Sequence, residues 1–479
     1  MLVLIVFFIT FATYLLWNRR HLYLLSWQLP GPIAIPLIGN GYSIANPHKL
    51  SPYLDEVTKK YGSPIRLWFG PEMVVFISDA ENAEIVLKSK DCLNKPQIFY
   101  KIVRDAMQVD GSFTLKAEKW KYHRRLLSPS VNLSKVSAHL PIFNQHIQKS
   151  IANLPINGDF IDILPYLSTC KIAMFAEAAL GSEIEKNVKQ KYLQQFAQGL
   201  EIVGKRILDP LLHIDFIWNL TESAKKLREY SCFGRTLFQK ILKEKVQTGS
   251  ESHSFLERLL DISNENTNFT HENVIAETAT ILTGATDTSS AASAFVAVML
   301  AMHPEYQEKV FQEILMVMPY KDAELTQTDL DKLEFTELCI RETLRLFPTV
   351  PIIGRVTSKP VKLNNNIEVP VGVPIMLGLR QIHIREEYYG STAKVYNPYR
   401  FMDENVKNLP GGAYIPFSYG PRNCFGYSYA KVSVKCCIVH LIRNYRLTTI
   451  YKNIEELKPV LSISMRLINK HMIKLERRE

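Results

Sequence analysis

The chain has 479 residues, 47% of them hydrophobic, so it can bury a large core. Its seven cysteines, Cys92, Cys170, Cys232, Cys339, Cys424, Cys436 and Cys437, are odd in number and sparse, which excludes a disulfide framework. A net charge of +10 admits nucleic acid, an anionic membrane or an acidic protein as partner, but no nucleic-acid motif or arginine-rich run accompanies it.

Met1 to Trp17 carries no charge and is almost wholly apolar, and Asn18-Arg19-Arg20-His21 follows directly. About seventeen residues is the lower limit for a helical span. A cleaved signal peptide would begin with a basic region and end in a small-residue site, and neither is present. Residues 1–17 are therefore expected to be a transmembrane signal-anchor. The basic residues after it predict that the bulk of the chain lies on the cytoplasmic side. The endoplasmic reticulum membrane is favoured, because no Arg/Ser-rich presequence for mitochondrial import is seen. Three sequons, at Asn132, Asn219 and Asn268, are expected to carry no glycan on that side. Residues 18–40 form a basic, proline-rich hinge, whose segment from Leu29-Pro30-Gly31-Pro32 to Asn40 should be extended and stiff.

Length alone would suggest about three domains. No Gly/Ser linker, low-complexity run or repeat divides residues 41–479, so one large domain is more economical. Ile65 to Phe69 and Met73 to Ile77, separated by Gly70-Pro71, predict a hairpin, and Asp79 then caps a helix to about Leu87. From about Ser134 to Lys245 the pattern is mainly helical, and β-rich pieces recur at Val361 to Leu377. The fold class is mainly α with a minor β portion.

Several residues stand out for chemistry. Trp120 and Arg124 are four apart, on one helix face. His271 to Met302 is long for a globular helix, and its middle, Gly284-Ala285-Thr286-Asp287-Thr288-Ser289-Ser290, is crowded with small and hydroxylated residues that weaken a helix. Two readings fit: a long helix that loosens to admit a ligand, or a Ser/Thr-rich turn between two helices. Glu342 and Arg345 lie three apart just before Phe347-Pro348 ends their helix, and Pro398-Tyr399-Arg400-Phe401 follows downstream. No C-x-x-C or His-x-x-x-His pattern suggests zinc.

The most informative stretch is Phe417-Ser418-Tyr419-Gly420-Pro421-Arg422-Asn423-Cys424-Phe425-Gly426. Gly420 and Gly426 allow tight turns or close approach to a flat ligand, Arg422 is a fixed cation, and amides near Cys424 can donate to its sulfur. A helix should follow, with Ala430, Val434, Cys437 and Leu441 on one face and Lys431 and Lys435 on another. Its N-terminal dipole is expected to lower the thiol pKa of Cys424.

This loop, written F-x-x-G-x-R-x-C-x-G, resembles the haem-binding signature of the cytochrome P-450 monooxygenases. The other motifs are similar to that family's in the same order along nearly the whole chain, hinge included. The resemblance implies the cytochrome P-450 fold, a haem b cofactor with Cys424 as axial iron ligand, and contacts to it from Phe417 and Gly426. It implies propionate contacts from Trp120, Arg124, Arg355 and Arg422, and a structural lock of Glu342, Arg345 and Arg400. Asp287 and Thr288 resemble the family's acid and hydroxyl that handle protons beside dioxygen. Ala285 stands where glycine is usual and Tyr399 where an acid is common; Val131 replaces a frequent aromatic. The implied activity is insertion of one oxygen atom of O2 into a hydrophobic small molecule, with electrons from NADPH through a flavoprotein reductase and cytochrome b5 as a further partner. Lys431 and Lys435 are the expected docking site for the reductase.

The chain looks nearest the animal and insect microsomal members akin to fatty-acid ω-hydroxylases. Gly284 replaces a glutamate that can link covalently to haem, which argues against such a linkage here. Residues 97–115, 202–216, 350–353 and 463–465 should line a substrate pocket for a fatty acid, terpenoid hormone, steroid or foreign toxin. A lipid isomerase or dehydratase of the same fold, and a non-catalytic haem sensor, are the alternatives.

Overall fold

A computed structural model describes residues 10, 13–14, 17–35, 38–248, 254–320, 323–461 and 463–478. The structure is about 60% helix and 10% strand, matching the expected mainly α composition. Most of the predicted anchor, residues 1–17, lies outside the described residues.

The N-terminal hairpin pairs Ile65–Phe69 with Glu72–Ile77 in antiparallel register, Ile65 opposite Phe76. Strand Glu72–Ile77 then pairs in parallel with Pro374–Gly378, and that strand pairs with Ile352–Val356. Asp79 caps the next helix, Ala80–Lys88, by accepting from the Asn82 amide at 2.8 Å. Joining the hairpin to strands some three hundred residues later makes one small sheet that supports one side of the molecule.

Helix Arg20–Gln28 buries Leu22 and Leu25 with Leu29 in the apolar cluster of this sheet, beside Met73, Val75 and Ile375. The Arg66 amide donates to the Pro30 carbonyl at 2.9 Å, and Trp68 stacks on Tyr23. Gly39, at φ +67°, runs so close to Trp68 that a side chain there would strike its backbone. Of the stretch expected as a hinge, Arg20–Gln28 is helical and the described part is anchored to the sheet through Leu22, Leu25, Leu29 and the Pro30 carbonyl, while Trp27 and Ile33 stay exposed.

His271–Met302 is one continuous helix, which excludes a turn in its middle. Four hydroxyls bond back to carbonyls one turn earlier: Thr288 to Gly284, Ser289 to Ala285, Ser290 to Thr286 and Ser293 to Ser289. Back-bonding of this kind satisfies hydroxyls without opening the helix, so small polar residues sit in it at little cost. Among the described residues it is the one helix long and apolar enough to cross a membrane, yet 83% of that apolar window is buried in the domain. It packs on helices Leu164–Leu180, Glu334–Leu346 and Tyr427–Asn444. Phe295, stacked on Phe347 at 4.9 Å, marks the centre of the core.

Candidate active site

Cys424 opens into a cavity of about 470 Å³ whose walls include Trp120, Arg124, Gly284, Asp287, Thr288, Arg355, Phe417, Arg422 and Gly426. The loop that holds the cysteine is closed by its own backbone: the Cys424 amide donates to Phe417 O at 2.8 Å and the Asn423 amide to Gly420 O at 3.1 Å. Gly420 has φ +71°, and a Cβ there would lie 2.1 Å from the Leu87 carbonyl, so only glycine lets the loop rest on helix Ala80–Lys88. Helix Tyr427–Asn444 starts just after, capped by Gly426.

Arg124 reaches from helix Ala117–Leu127 and grips the residues on either side of Cys424. It donates to Asn423 O at 3.2 Å and Asn423 Oδ1 at 2.9 Å, and lies over the Phe425 ring at 5.1 Å. Burial nonetheless pushes the Cys424 thiol up, against the opposing effects of the Gly426 amide and Arg124. The expected lowering by the helix N-terminus is thus outweighed by desolvation. Cys424 would hold an iron ion as the thiolate, because the charge of a bound metal favours loss of the thiol proton.

Arg422 lies over the Trp120 ring at 4.4 Å and donates to three carbonyls, Leu93 at 3.0 Å, Ser112 at 3.1 Å and Leu115. Arg355, 1% exposed, donates to Gly354 O at 2.9 Å and Ser418 Oγ at 3.2 Å, while its Nε has no partner. Beside them stands Lys95, 8% exposed, which sequence reasoning missed. It reaches only the Tyr100 hydroxyl, at 3.3 Å, and the faces of Tyr100 and Phe113. Burial and then the two guanidinium groups push its ammonium well below the usual range. Among the described residues no carboxylate pairs with Lys95, Arg355 or Arg422. Three buried cations without a counter-ion are costly unless an anion joins them. A flat ligand with two carboxylates fits that need, and the open edge at Gly426, where a Cβ would meet nothing nearer than Cys424 Sγ at 4.0 Å, gives it room beside the sulfur.

Away from the cavity, Glu342 and Arg345 form a bidentate pair at 2.7 and 2.8 Å, both fully buried. Arg345 also donates to His383 O, Ala393 O and Val395 O, and Arg400 approaches Glu342 at 3.4 Å while donating to Tyr389 O and Thr392. The Asn397 amide supplies one more donor to Glu342, at 2.9 Å. Tyr399 turns outward to Lys309 and adds nothing to the lock. His383, also missed in the sequence, contacts Arg345 O at 3.1 Å through Nδ1 and accepts from the Ile415 amide at 2.9 Å through Nε2. Ile415 opens the segment leading into the cysteine loop, so His383 connects the lock to it.

A family model described as Cytochrome P450 matches residues 29–475. The chain belongs to the cytochrome P450 family. It is 30% identical to "Probable cytochrome P450 313a4" of Drosophila melanogaster over 97% of each chain, and 28% identical to "Cytochrome P450 4d2" of the same organism over 92% of each. These relatives make it similar to insect P450s, and membership implies a haem iron cofactor and oxygen-incorporating oxidoreductase chemistry. The cation cluster and the cysteine loop fit that cofactor.

In this P450 the distal side differs from the expected pairing. Thr288 faces the cavity and donates to Gly284 O at 2.7 Å, but Asp287 turns to Arg466, whose Nη2 donates to Asp287 Oδ1 at 2.7 Å. Gly284 leaves open space, with nothing within 4 Å of a Cβ built there. Of the predicted pocket segments, Val103, Met107, Val109, Phe113, Val350, Ile353 and Ile463 line the cavity, whereas 202–216 contributes only Val203. The larger share of that wall comes from one face of helix Lys186–Leu208, through Tyr192, Phe196, Gly199 and Leu200. Their spacing of three and four was legible as a helical face.

One expectation for the opposite side is corrected. Lys435 is 4% exposed and pairs with Glu337 at 3.3 Å, so it is no docking residue; Lys431 is exposed. The helix turns Lys435 inward against helix Glu334–Leu346, where its charge is matched locally.

Proposed function

We propose that the chain is a haem-thiolate monooxygenase that inserts one oxygen atom of O2 into a hydrophobic small molecule, with electrons from NADPH through a flavoprotein reductase. The observation that carries this reading is the cavity itself, shared by Cys424, the unpaired cations, Thr288 and a mostly apolar wall. When bound, haem supplies the oxygen-activating chemistry, one oxygen atom going to substrate and the other to water. Cys424 would hold its iron; Arg355, Arg422, Arg124 and Trp120 would hold its propionates. Phe417 and Gly426 would bound its sulfur side. The apolar wall excludes water and orients the substrate, while the Thr288 hydroxyl hands on protons that reach the site through Asp287.

The proposed substrate is lipid-like, a fatty acid, terpenoid, steroid or foreign toxin, because few polar groups line the wall. Residence at the endoplasmic reticulum, with the domain on the cytoplasmic face, rests on the uncharged N-terminal stretch and the basic residues after it. The sequon residues Asn132, Asn219 and Asn268 are all exposed, so a glycan on any of them would overturn that topology.

The test is twofold. The reduced, carbon monoxide-bound protein should show the strongly red-shifted Soret band of a thiolate-ligated haem. NADPH consumption with reductase and a panel of lipids should then yield hydroxylated product. Turnover without reductase would favour an isomerase or dehydratase, and a thiolate band with no turnover would favour a sensor.

A further inference from the structure

We propose that Arg466 is a positioning residue for Asp287 and thereby sets how protons reach the cavity; this rests on the monooxygenase reading. Asp287 is 8% exposed and lines the cavity wall, so an unpaired carboxylate there would be costly. Arg466 is the one cation that pairs with it among the described residues, at 2.7 Å, and its side chain keeps 28% of its exposure. The pair therefore runs from solvent to the cavity wall.

Arg466 lies on strand Met465–Leu467, opposite Val460 of Pro459–Leu461. The turn of this hairpin presents Ile463 and Ser464 to the cavity, and the Met465 amide is tied to Thr349 O at 2.8 Å. The strand thus has a fixed place relative to the long helix.

Successive helix residues point about 100° apart, so Asp287 and Thr288 cannot both face the same group without help. Arg466 resolves this by taking Asp287 Oδ1 outward, while Thr288 donates to Gly284 O and offers its oxygen as acceptor to the cavity. A proton taken up from solvent on the Asp287 carboxylate would pass by way of cavity water to the Thr288 oxygen, which accepts it as its own proton leaves Gly284 O and moves inward. The carboxylate ends ionised, as it began, and no electron moves. Without Arg466 the carboxylate has no fixed rotamer and the first transfer slows.

The experiment uses the full-length haem protein with NADPH and reductase, and lauric acid as probe. Arg466→Met should leave the carbon monoxide band unchanged. Product per NADPH should fall about tenfold, with hydrogen peroxide rising and a larger solvent deuterium isotope effect on oxygen uptake. Asp287→Asn should behave alike, and the double variant should lose no more than either single one. Arg466→Lys, which keeps the charge but not the fork, should lie between, and it serves if Arg466→Met does not fold. Multiplying losses in the double variant, or an unchanged isotope effect in Arg466→Met, would overturn the proposal. The oxygen-uptake isotope effect reads the pair even when lauric acid is not oxidised, whereas absence of product from every lipid counts against the monooxygenase reading alone.

Discussion

The Glu342, Arg345 and Arg400 cluster, with Arg400 at its edge, and the buried Lys95, Arg355 and Arg422 cluster both lie inside the fold, but only the first contains a carboxylate. In the first, both Glu342 oxygens are engaged and Arg345 spreads its donors over carboxylate and carbonyls. In the second, three cations share a cavity wall with no counter-ion among the described residues. A buried charge cluster that contains its own counter-ion holds the fold; one that contains none is waiting for a ligand's charge. The same residue types at similar depth thus do different work.

The largest effect should come from removing the carboxylate of the first cluster. Glu342→Ala leaves Arg345 buried and uncompensated and should cost about 3–5 kcal/mol, read from the urea unfolding midpoint. A loss below about 1 kcal/mol would mean the carbonyls alone sustain Arg345, and the contrast would fail.

The unbalanced cluster should respond in the opposite sense. Arg355→Met removes a like-charge neighbour of Lys95 and should leave stability nearly unchanged, yet speed haem transfer to a scavenger protein by roughly thirtyfold, about 2 kcal/mol. Unfolding without any change in haem retention would reverse the assignment of the two clusters.

A third test sharpens the contrast through pH. His383 is pushed down to about 3, chiefly by burial and then by Arg345. Its neutral ring is the form that can accept from the Ile415 amide. Below about pH 6.5 the unfolded chain binds a proton that the folded chain refuses, so ν_U exceeds ν_N and stability falls as pH falls, about 1.4 kcal/mol per unit for this one group. His383→Gln should remove that share of the slope. An unchanged slope would show that acid acts elsewhere, for example on His440, which burial pushes down to about 4, or on His471.

The smallest effect concerns a charge outside both clusters. Lys431→Glu should slow reductase-driven turnover about threefold at low salt and spare oxidant-driven turnover, since exposed charges act mainly on encounter rates. Lys435→Glu should instead destabilise the fold, because it would set a buried carboxylate against that of Glu337.

Much of the site was legible because its parts are local. Cys424, its glycines and the start of its helix lie within one loop, and Glu342 and Arg345 within one helical turn. Asp79 as cap and the hairpin at Ile65 to Ile77 were read for the same reason, whereas the middle of His271–Met302 fitted both a helix and a turn until the fold was known. Lys95 and His383 escaped, because a lone lysine or histidine looks like any surface residue until its neighbours are known. Lys435 was misplaced because it lies one turn from the exposed Lys431 on the same face of its helix, and only packing against Glu337 distinguishes them.

By itself, the sequence determined the cofactor chemistry, since a cysteine loop and a fixed order of motifs are one-dimensional signals. Tertiary structure alone decided which charges balance one another and where Asp287 turns. Those outcomes depend on pairs far apart in the chain, Asp287 with Arg466 and Lys95 with Arg355 and Arg422, and a buried charge has an energy only relative to what folding brings beside it.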